Sequence, residues 1–500
     1  MKPLPRRLQP SWAKAWEARA SLAAAPWASA SAPAPVAGTA AHPLADHAIS
    51  LGLRRREEEI EAAFAAIEPA LRALAPGQFE ADFATRGAAQ LRAQLGLDIP
   101  PAALRADWAA PLEMRGLYAR CVIGTFSRLV ARGFDRGLAR YSEGESAEAL
   151  IHRWGFHAID ITPCADGRLS GVVDYILRVP PAVVAYRQSF AGAMFDVAGS
   201  VRHWEEVELR RWREARPNPA DAPTRYLKIG VYHFSSLDPH HEGCAAHGSD
   251  TRQAASALLE TLRHFEQAVR CTHGGAAVAI LLVGVDTDTD AIRVHVPDAA
   301  GQAAVDRFVD NRDIFDRTQT MPRDAAKGAI REAVAACAGV RPDDPATEGM
   351  RWFCGYLLKN NIGQMDAVRS WHGGAYREAG HTEKLIVVGD AIDDVQLRNL
   401  AFQAQMDTVE ANAADLDIGI KILKGLLAPR GLAVPVLAHF AYDPRIPGAA
   451  ATAQCRALRL RAAILSRHAR LADTGMLFVQ AMVRASDGTQ LQAVPTESSP

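Results

Sequence analysis

Five side chains carry the chemistry that this sequence offers. Cys164, Asp166 and Arg168 stand together in Cys164-Ala165-Asp166-Gly167-Arg168, and His233 and Cys244 follow with ten residues between them. Two thiolates and an imidazole suit Zn2+, which takes sulfur at about 2.3 Å and imidazole nitrogen at about 2.0–2.1 Å. Three protein donors leave a fourth position for water, as a catalytic rather than a structural site requires. The two thiolates cancel the dication's charge, so acidifying that water needs help. Asp166, two residues from Cys164, is placed to orient the water by accepting its proton in a hydrogen bond. Arg168 is placed to grip the carboxylate in a bidentate fork, keeping it ionised and off the metal. Water activated in this way attacks an electrophilic carbon at neutral pH.

Each donor has an ordinary reading beside the functional one. A cysteine in an apolar strand is usually a small buried hydrophobe, and Cys121, Cys271, Cys337, Cys354 and Cys455 are read so. Cys164 is set apart by its Asp-x-Arg neighbours. For the imidazole, His240, His241 and His247 compete with His233, because a second His-Phe pair, His439-Phe440, suggests a structural use of that dipeptide. Asp286, Asp288 and Asp290 alternate like the start of a calcium loop. Ala291 and Pro297 stand where an EF-hand needs Gly and Glu, so a solvated turn after a strand is expected. Arg54–Arg56 before Glu57–Glu59 reads as an exposed helix face with internal ion pairs. A nucleobase deaminase needs Pro-Cys-x-x-Cys, and Pro163-Cys164-Ala165-Asp166-Gly167 lacks the second cysteine.

The elements that must hold these residues follow from hydrophobic patterning. Apolar runs at 156–162, 225–234 and 276–285 read as strands, the last buried on both faces. Between the second and third, 251–270 places Leu258, Leu262, Phe265 and Val269 on one helical stripe. Strand, helix and strand in that order indicate a parallel α/β unit, and ligands of such sheets bind outside the carboxyl ends of the strands. Cys164 and His233 both stand there. Upstream, 60–74 and 117–138 have helical spacing, with breaks at Pro and Gly.

An internal echo extends the pattern. His233-Phe234, Asp238-Pro239 and Gly243-Cys244-Ala245-Ala246 are answered by His439-Phe440, Asp443-Pro444 and Gly448-Ala449-Ala450-Ala451. The segment 383–389 likewise resembles the strand ending at Cys164, and 476–483 supplies a third strand. We infer a duplication in which the second copy has Gly389 and Ala449 where the first has Cys164 and Cys244. The pair of thiols therefore serves chemistry rather than packing, and the copies are expected to pack as a pseudo-dimer.

Composition sets the class. The chain has 500 residues, too many for one ordinary core. Its 49% hydrophobic and 23% charged residues fit a globular protein, and a net charge of −1 gives no basic field for nucleic acid or an anionic membrane. No apolar run is long enough to span a bilayer. Seven scattered cysteines do not read as a disulfide framework. Residues 1–45 are rich in Ala, Ser, Pro and basic side chains and are expected to form a disordered arm. Within it Leu8, Trp12 and Trp16 would share one helical face for a partner.

Cys-x-Asp-x-Arg at a strand end, followed by His and a second Cys, resembles the β-class carbonic anhydrases. There the later pair is usually His-x-x-Cys, a departure from the ten-residue spacing seen here. That departure, the degenerate second copy, the helical N-terminal region and the strings "VYHFSSLDPHHEGCAAHGSDT" and "VGVDTDTDAIRVHVPD" make the chain similar to the carboxysome shell carbonic anhydrases, a divergent branch once called the ε class. The resemblance covers nearly everything from about residue 47. It implies zinc held by Cys164, His233 and Cys244, with Asp166 and Arg168 catalytic, interconverting CO2 and bicarbonate and supplying Rubisco inside a bacterial carboxysome. It implies an arm that docks on Rubisco or shell proteins, and a homodimer or larger homo-oligomer. A non-catalytic, zinc-stabilised scaffold of the compartment is the alternative. The expected fold class is α/β: a β-carbonic-anhydrase-like sheet of parallel strands, duplicated as one catalytic and one degenerate copy, after an all-α domain and the arm. The expected boundaries are 1–45, 46–142, 143–382 and 383–500.

Overall fold

The computed structural model describes residues 41–106, 115–132, 147–216, 224–274, 277–342, 348–376, 381–390, 392, 401–406 and 408–495. Most of the expected N-terminal arm, with Leu8, Trp12 and Trp16, lies outside these residues.

The first sheet contains β1 (Phe156–Pro163), β2 (Val184–Arg187), β3 (Arg225–Phe234), β4 (Val278–Asp286), β5 (Ile292–His295) and β6 (Val309–Asp310), in the order β2-β1-β3-β4-β5-β6. β2, β1, β3 and β4 run parallel, whereas β5 and β6 return antiparallel. β3 and β4 are buried almost throughout, as strands covered on both faces must be. The helix Thr251–His273 crosses from β3 to β4. Asp250 caps it by accepting from the Gln253 N–H, and Leu258, Leu262, Phe265 and Val269 turn inward on its apolar stripe. It lies so close to β3 that a Cβ on Gly230 would meet the Leu258 side chain at 2.9 Å.

The second sheet contains β7 (Leu385–Gly389), β8 (Ala401–Ala404), β9 (Val434–Tyr442), β10 (Leu477–Ala485) and β11 (Gln492–Ala493), in the order β11-β10-β9-β7-β8. Four strands are again parallel, with an antiparallel neighbour on β10. The helix Ala449–Arg467 joins β9 to β10, as Thr251–His273 joins β3 to β4. The order β8-β7-β9-β10-β11 thus repeats β2-β1-β3-β4-β5. The register corrects one expectation. Pro163 pairs with Val231, which brings Cys164 level with Tyr232, while Gly389 pairs with His439 and Val388 with Ala438. When His439 is laid on His233, Val388 rather than Gly389 falls on Cys164, and Asp390 falls on Asp166.

Two cores result. One unites the first sheet with Thr251–His273 and with the inner face of Glu348–His372, including Phe353, Leu357 and Ile362. The other joins the second sheet to the N-terminal helices His47–Ala65, Ile67–Leu74, Phe83–Leu95 and Arg115–Arg132, through residues such as Ile60, Leu71, Val122 and Phe126. The helical segment therefore shares a core with the C-terminal sheet instead of burying its stripe alone. Arg54 pairs with Glu58 on the exposed face, as the charge pattern indicates. Two of the cysteines read as buried hydrophobes, Cys271 and Cys455, are exposed, and Cys337 is half-buried. Cys271 and Cys455 sit on helix positions away from the buried residues, whereas Cys337 packs against the edge of the first core.

Candidate metal centre

Cys164 continues the line of β1 beyond its last residue. Its N–H donates to the Val231 carbonyl at 3.0 Å, and on the other side it bridges Phe190. The backbone is thereby fixed from both flanks. His233, 1% exposed, is the penultimate residue of β3. Cys244 opens the short turn Ala245–His247, and its carbonyl accepts from the N–H groups of His247 and Ser249, both at 3.0 Å.

These elements bring one ligand atom each from Cys164, His233 and Cys244 within 4.8 Å of one another. Donors around a tetrahedral zinc stand about 3.5–3.8 Å apart, given the usual bond lengths, so little further approach is needed. His240, His241 and His247, the alternative imidazoles, are not in this group. His241 pairs at the surface with Asp238 at 2.7 Å. Both ring nitrogens of His233 are buried without a hydrogen-bond partner. Such burial is costly unless something satisfies the imidazole, and a metal does so. Burial holds the His233 pKa down to about 4 against the pull of Asp166, so its lone pair is available at neutral pH. The hydrogen bond between the two thiols pushes the Cys164 pKa up, with burial adding to it, and draws that of Cys244 down. The donor set, its spacing and the orphaned imidazole fit zinc.

Asp166 and Arg168 form the expected grip. Arg168 donates from its backbone N–H and Nε to Asp166 Oδ1, both at 2.9 Å, and from Nη2 to Oδ2 at 2.8 Å. Its Nη1 donates to the Glu242 carbonyl at 2.9 Å, two residues before Cys244. Burial alone would raise the Asp166 pKa. The Arg168 charge, with His381 and His233 nearby, holds the carboxyl well below the usual range. Asp166 Oδ2 lies 3.6 Å from His233 Nε2, beside the donor group but outside it.

Sequence reasoning missed the wall on the far side. His381 and Glu383 precede β7, and with Asp166 they form a second cluster of ligating atoms within 4.8 Å. His381 Nδ1 meets Glu383 Oε1 at 3.0 Å, and its Nε2 lies 3.4 Å from Arg168 Nη2. Burial and Arg168 depress the His381 pKa, but Glu383 and Asp166 outweigh them and raise it. Glu383 also accepts from the Gly167 N–H at 3.2 Å, and a Cβ on Gly167 would lie 2.4 Å from Glu383 Cγ. Only glycine lets the second half approach so closely. The Gln403 N–H donates to the Ala165 carbonyl and that of Gln405 to Ser189. None of these residues forms a motif with Cys164, so no local pattern points to them.

The run from Asp286 to Asp290 is not a solvated turn. All three aspartates are wholly buried. Asp288 Oδ2 accepts from Ser235 Oγ at 2.8 Å and the Leu237 N–H at 2.7 Å, and Asp286 accepts from the Ser236 N–H and Oγ at 3.1 and 2.7 Å. Donors from the β3 loop take the place of solvent.

Comparison with known proteins places these features in a family. The model of the carboxysome shell carbonic anhydrase catalytic domain matches residues 146–381, that of the C-terminal region 382–498 and that of the N-terminal region 42–134. A carboxysome shell carbonic anhydrase of Halothiobacillus neapolitanus is 41% identical over 464 residues, covering 91% of this chain and 90% of that protein. One from Prochlorococcus marinus strain MIT 9313 is 42% identical, covering 89% and 87%. One from Parasynechococcus marenigrum is 42% identical, covering 90% and 77%.

Proposed function

Because the chain belongs to the carboxysome shell carbonic anhydrase family, we propose that it is a zinc-dependent carbonic anhydrase. It interconverts CO2 and bicarbonate in the carboxysome and supplies CO2 to Rubisco there. The observation that carries the reading is the convergence of Cys164, His233 and Cys244 within 4.8 Å, next to a gripped Asp166. Zinc bound by these three residues supplies the Lewis acidity that makes water nucleophilic near pH 7.

The chain's own residues do the rest. Arg168 fixes both oxygens of Asp166, so the carboxylate keeps its acceptor lone pairs and stays out of the donor set. Asp166 Oδ2 accepts a hydrogen bond from the attacking water and orients it toward CO2. The low pKa of Asp166 keeps it an acceptor at every working pH. The Glu383–His381 pair backs the grip with a second carboxylate and excludes bulk water from that side. Among the described residues the first donor group numbers three, which favours an open catalytic site over the four-ligand scaffold alternative.

The duplication belongs to the same reading. It is supported by the repeated strand order and by the equivalent crossover helices. The C-terminal copy is taken as degenerate, with Val388 where Cys164 stands. The segments 1–45, 46–142, 143–382 and 383–500 are retained as arm, helical domain, catalytic domain and degenerate copy. The arm serves as the docking element for Rubisco or shell proteins, and the protein acts as a homodimer or larger homo-oligomer. Stopped-flow CO2 hydration on protein with stoichiometric zinc tests the activity. Cys164→Ala and Cys244→Ala should lose both metal and turnover, while Asp166→Ala keeps metal and loses turnover. Hydration no faster than buffer from a zinc-replete preparation overturns the reading.

A further inference from the structure

The loop between His233 and Cys244 lacks the usual means of holding a loop in place. Beyond Phe234, which ends β3 in the core, residues 237 and 239–241 are exposed, and Leu237, the one large apolar side chain of 235–243, is 67% exposed. No apolar anchor fixes the path between Phe234 and Cys244. The buried turn that follows β4 supplies polar anchors instead. The Thr287 N–H and Oγ1 both donate to the Phe234 carbonyl, at 2.8 and 3.1 Å. Asp286 takes the N–H and hydroxyl of Ser236, and Asp288 takes the Leu237 N–H and the Ser235 hydroxyl. Ser235 Oγ in turn accepts from the Asp238 N–H at 2.9 Å. Five consecutive residues are thus tied, directly or through one hydroxyl, to two carboxylates and a threonine.

The same turn is itself held from its other side. The Asp288 carbonyl accepts from the Tyr376 N–H at 2.8 Å, five residues before His381, and Tyr376 donates its phenol to Asp290 Oδ2 at 2.5 Å. Gln364 Nε2 reaches that oxygen at 2.9 Å, and Asn361 Nδ2 the Asp290 carbonyl at 2.8 Å. Asp290 adopts a φ of +57°, a conformation costly for a non-glycine residue and held here by these partners.

We propose that the turn Asp286–Asp290 positions the metal centre, with Asp288 as the positioning residue for the Cys244 loop. The inference rests on the zinc reading above and deepens it. Asp288 touches neither the donor atoms nor Asp166. It acts by delivering Cys244 already in place, so that binding zinc does not have to order the loop. Partners that orient ligands in this indirect way typically change metal affinity or activity by 10- to 100-fold.

The test uses the full chain and zinc itself, with affinity measured by chelator competition and turnover by stopped flow. Asp288→Ala should weaken zinc about 10- to 100-fold, and its turnover should recover when zinc is raised to saturation. Asp288→Asn, which keeps one acceptor oxygen, should restore most of the affinity. Tyr226→Phe is the control: it removes a buried hydrogen bond to Asp160 on the same sheet, so it should lower Tm without changing zinc affinity. If Asp288→Ala does not fold, Ser235→Ala removes the shared hydroxyl and should weaken zinc several-fold. Wild-type zinc affinity in Asp288→Ala or Ser235→Ala, or an equal loss in Tyr226→Phe, overturns the proposal. A wild-type chain that binds no zinc overturns the functional reading instead.

Discussion

Replacing Arg168 by lysine keeps a positive charge in a fully buried position and removes the fork. Three of the native guanidinium's hydrogen bonds hold the grip: Nε and Nη2 to the two oxygens of Asp166 at 2.9 and 2.8 Å, and Nη1 to the Glu242 carbonyl at 2.9 Å. A single ammonium on a flexible stem cannot reach all three acceptors, and at best keeps one. Hydrogen bonds to charged groups contribute about 1.5–3 kcal/mol each, so losing two removes about 3–6 kcal/mol before relaxation. Breaking a buried pair outright costs about 3–5 kcal/mol, which sets the scale of the stability loss. If about 3 kcal/mol of this falls on the orientation of Asp166 in the transition state, kcat/KM drops about 100-fold. The acid limb moves as well. Asp166 has a depressed folded pKa, so its contribution is present above the unfolded value and is lost as pH falls through the folded one. With the fork gone the depression shrinks, and acid unfolding of Arg168→Lys should begin at higher pH than in wild type. Stopped-flow hydration, metal content and acid titration of Tm follow the three effects. Turnover within threefold of wild type at full zinc loading, with an unmoved acid midpoint, would refute the reasoning.

Four further outcomes are expected. Zinc affinity should rise with pH, because the Cys164 thiol, pushed up by its bond to Cys244, must release its proton to bind metal; chelator competition between pH 6 and about pH 9 checks this. Gly167→Ala should destabilise the fold by about 1–3 kcal/mol and lower activity, since the new methyl falls on Glu383 Cγ; chemical denaturation measures it. His381 has a raised folded pKa, so its contribution is full below the ordinary histidine value and is lost as pH rises through the folded one. His381→Gln should flatten the decline of Tm above about pH 6.5. Iodoacetamide should label Cys271 and Cys455 rapidly without loss of turnover, while Cys121 and Cys354 react only after unfolding; peptide mass spectrometry reads the sites.

The parts of the site legible in the sequence were those governed by local rules. Cys164 and His233 stand at the ends of apolar runs, and the Asp-x-Arg grip forms within three residues. The structure repeats that grip away from both clusters of ligating atoms found among the described residues. Arg445 donates to Asp443 with the same three groups, and Arg312 to Asp310 likewise. It is therefore a self-closing local motif, in which Arg445 draws the exposed Asp443 down to a pKa of about 2. Its presence alone signals no chemistry; its burial beside two thiols does. What stayed hidden depends on partners distant in the chain. His381, Glu383 and Gln403 reach the centre through the packing of one sheet on another. The aspartates of the β4 turn read as solvated because alternating acids usually are, and the donors that turn them inward, from Ser235, Ser236, Leu237, Gln364 and Tyr376, lie elsewhere in the chain. The echo between the halves was visible, but its register was not, since a one-residue shift leaves the hydrophobic pattern of so short a strand unchanged.

The closeness of Gly167 to Glu383 has a consequence for how the two halves can vary. The C-terminal sheet holds no pair of thiols of its own, yet the edge it turns toward the first sheet finishes the chamber around Asp166. A saturation scan should therefore find tolerance around Ala449 and intolerance along 381–383 and 403–405. Variation in the second half is thereby limited by contacts made in the first.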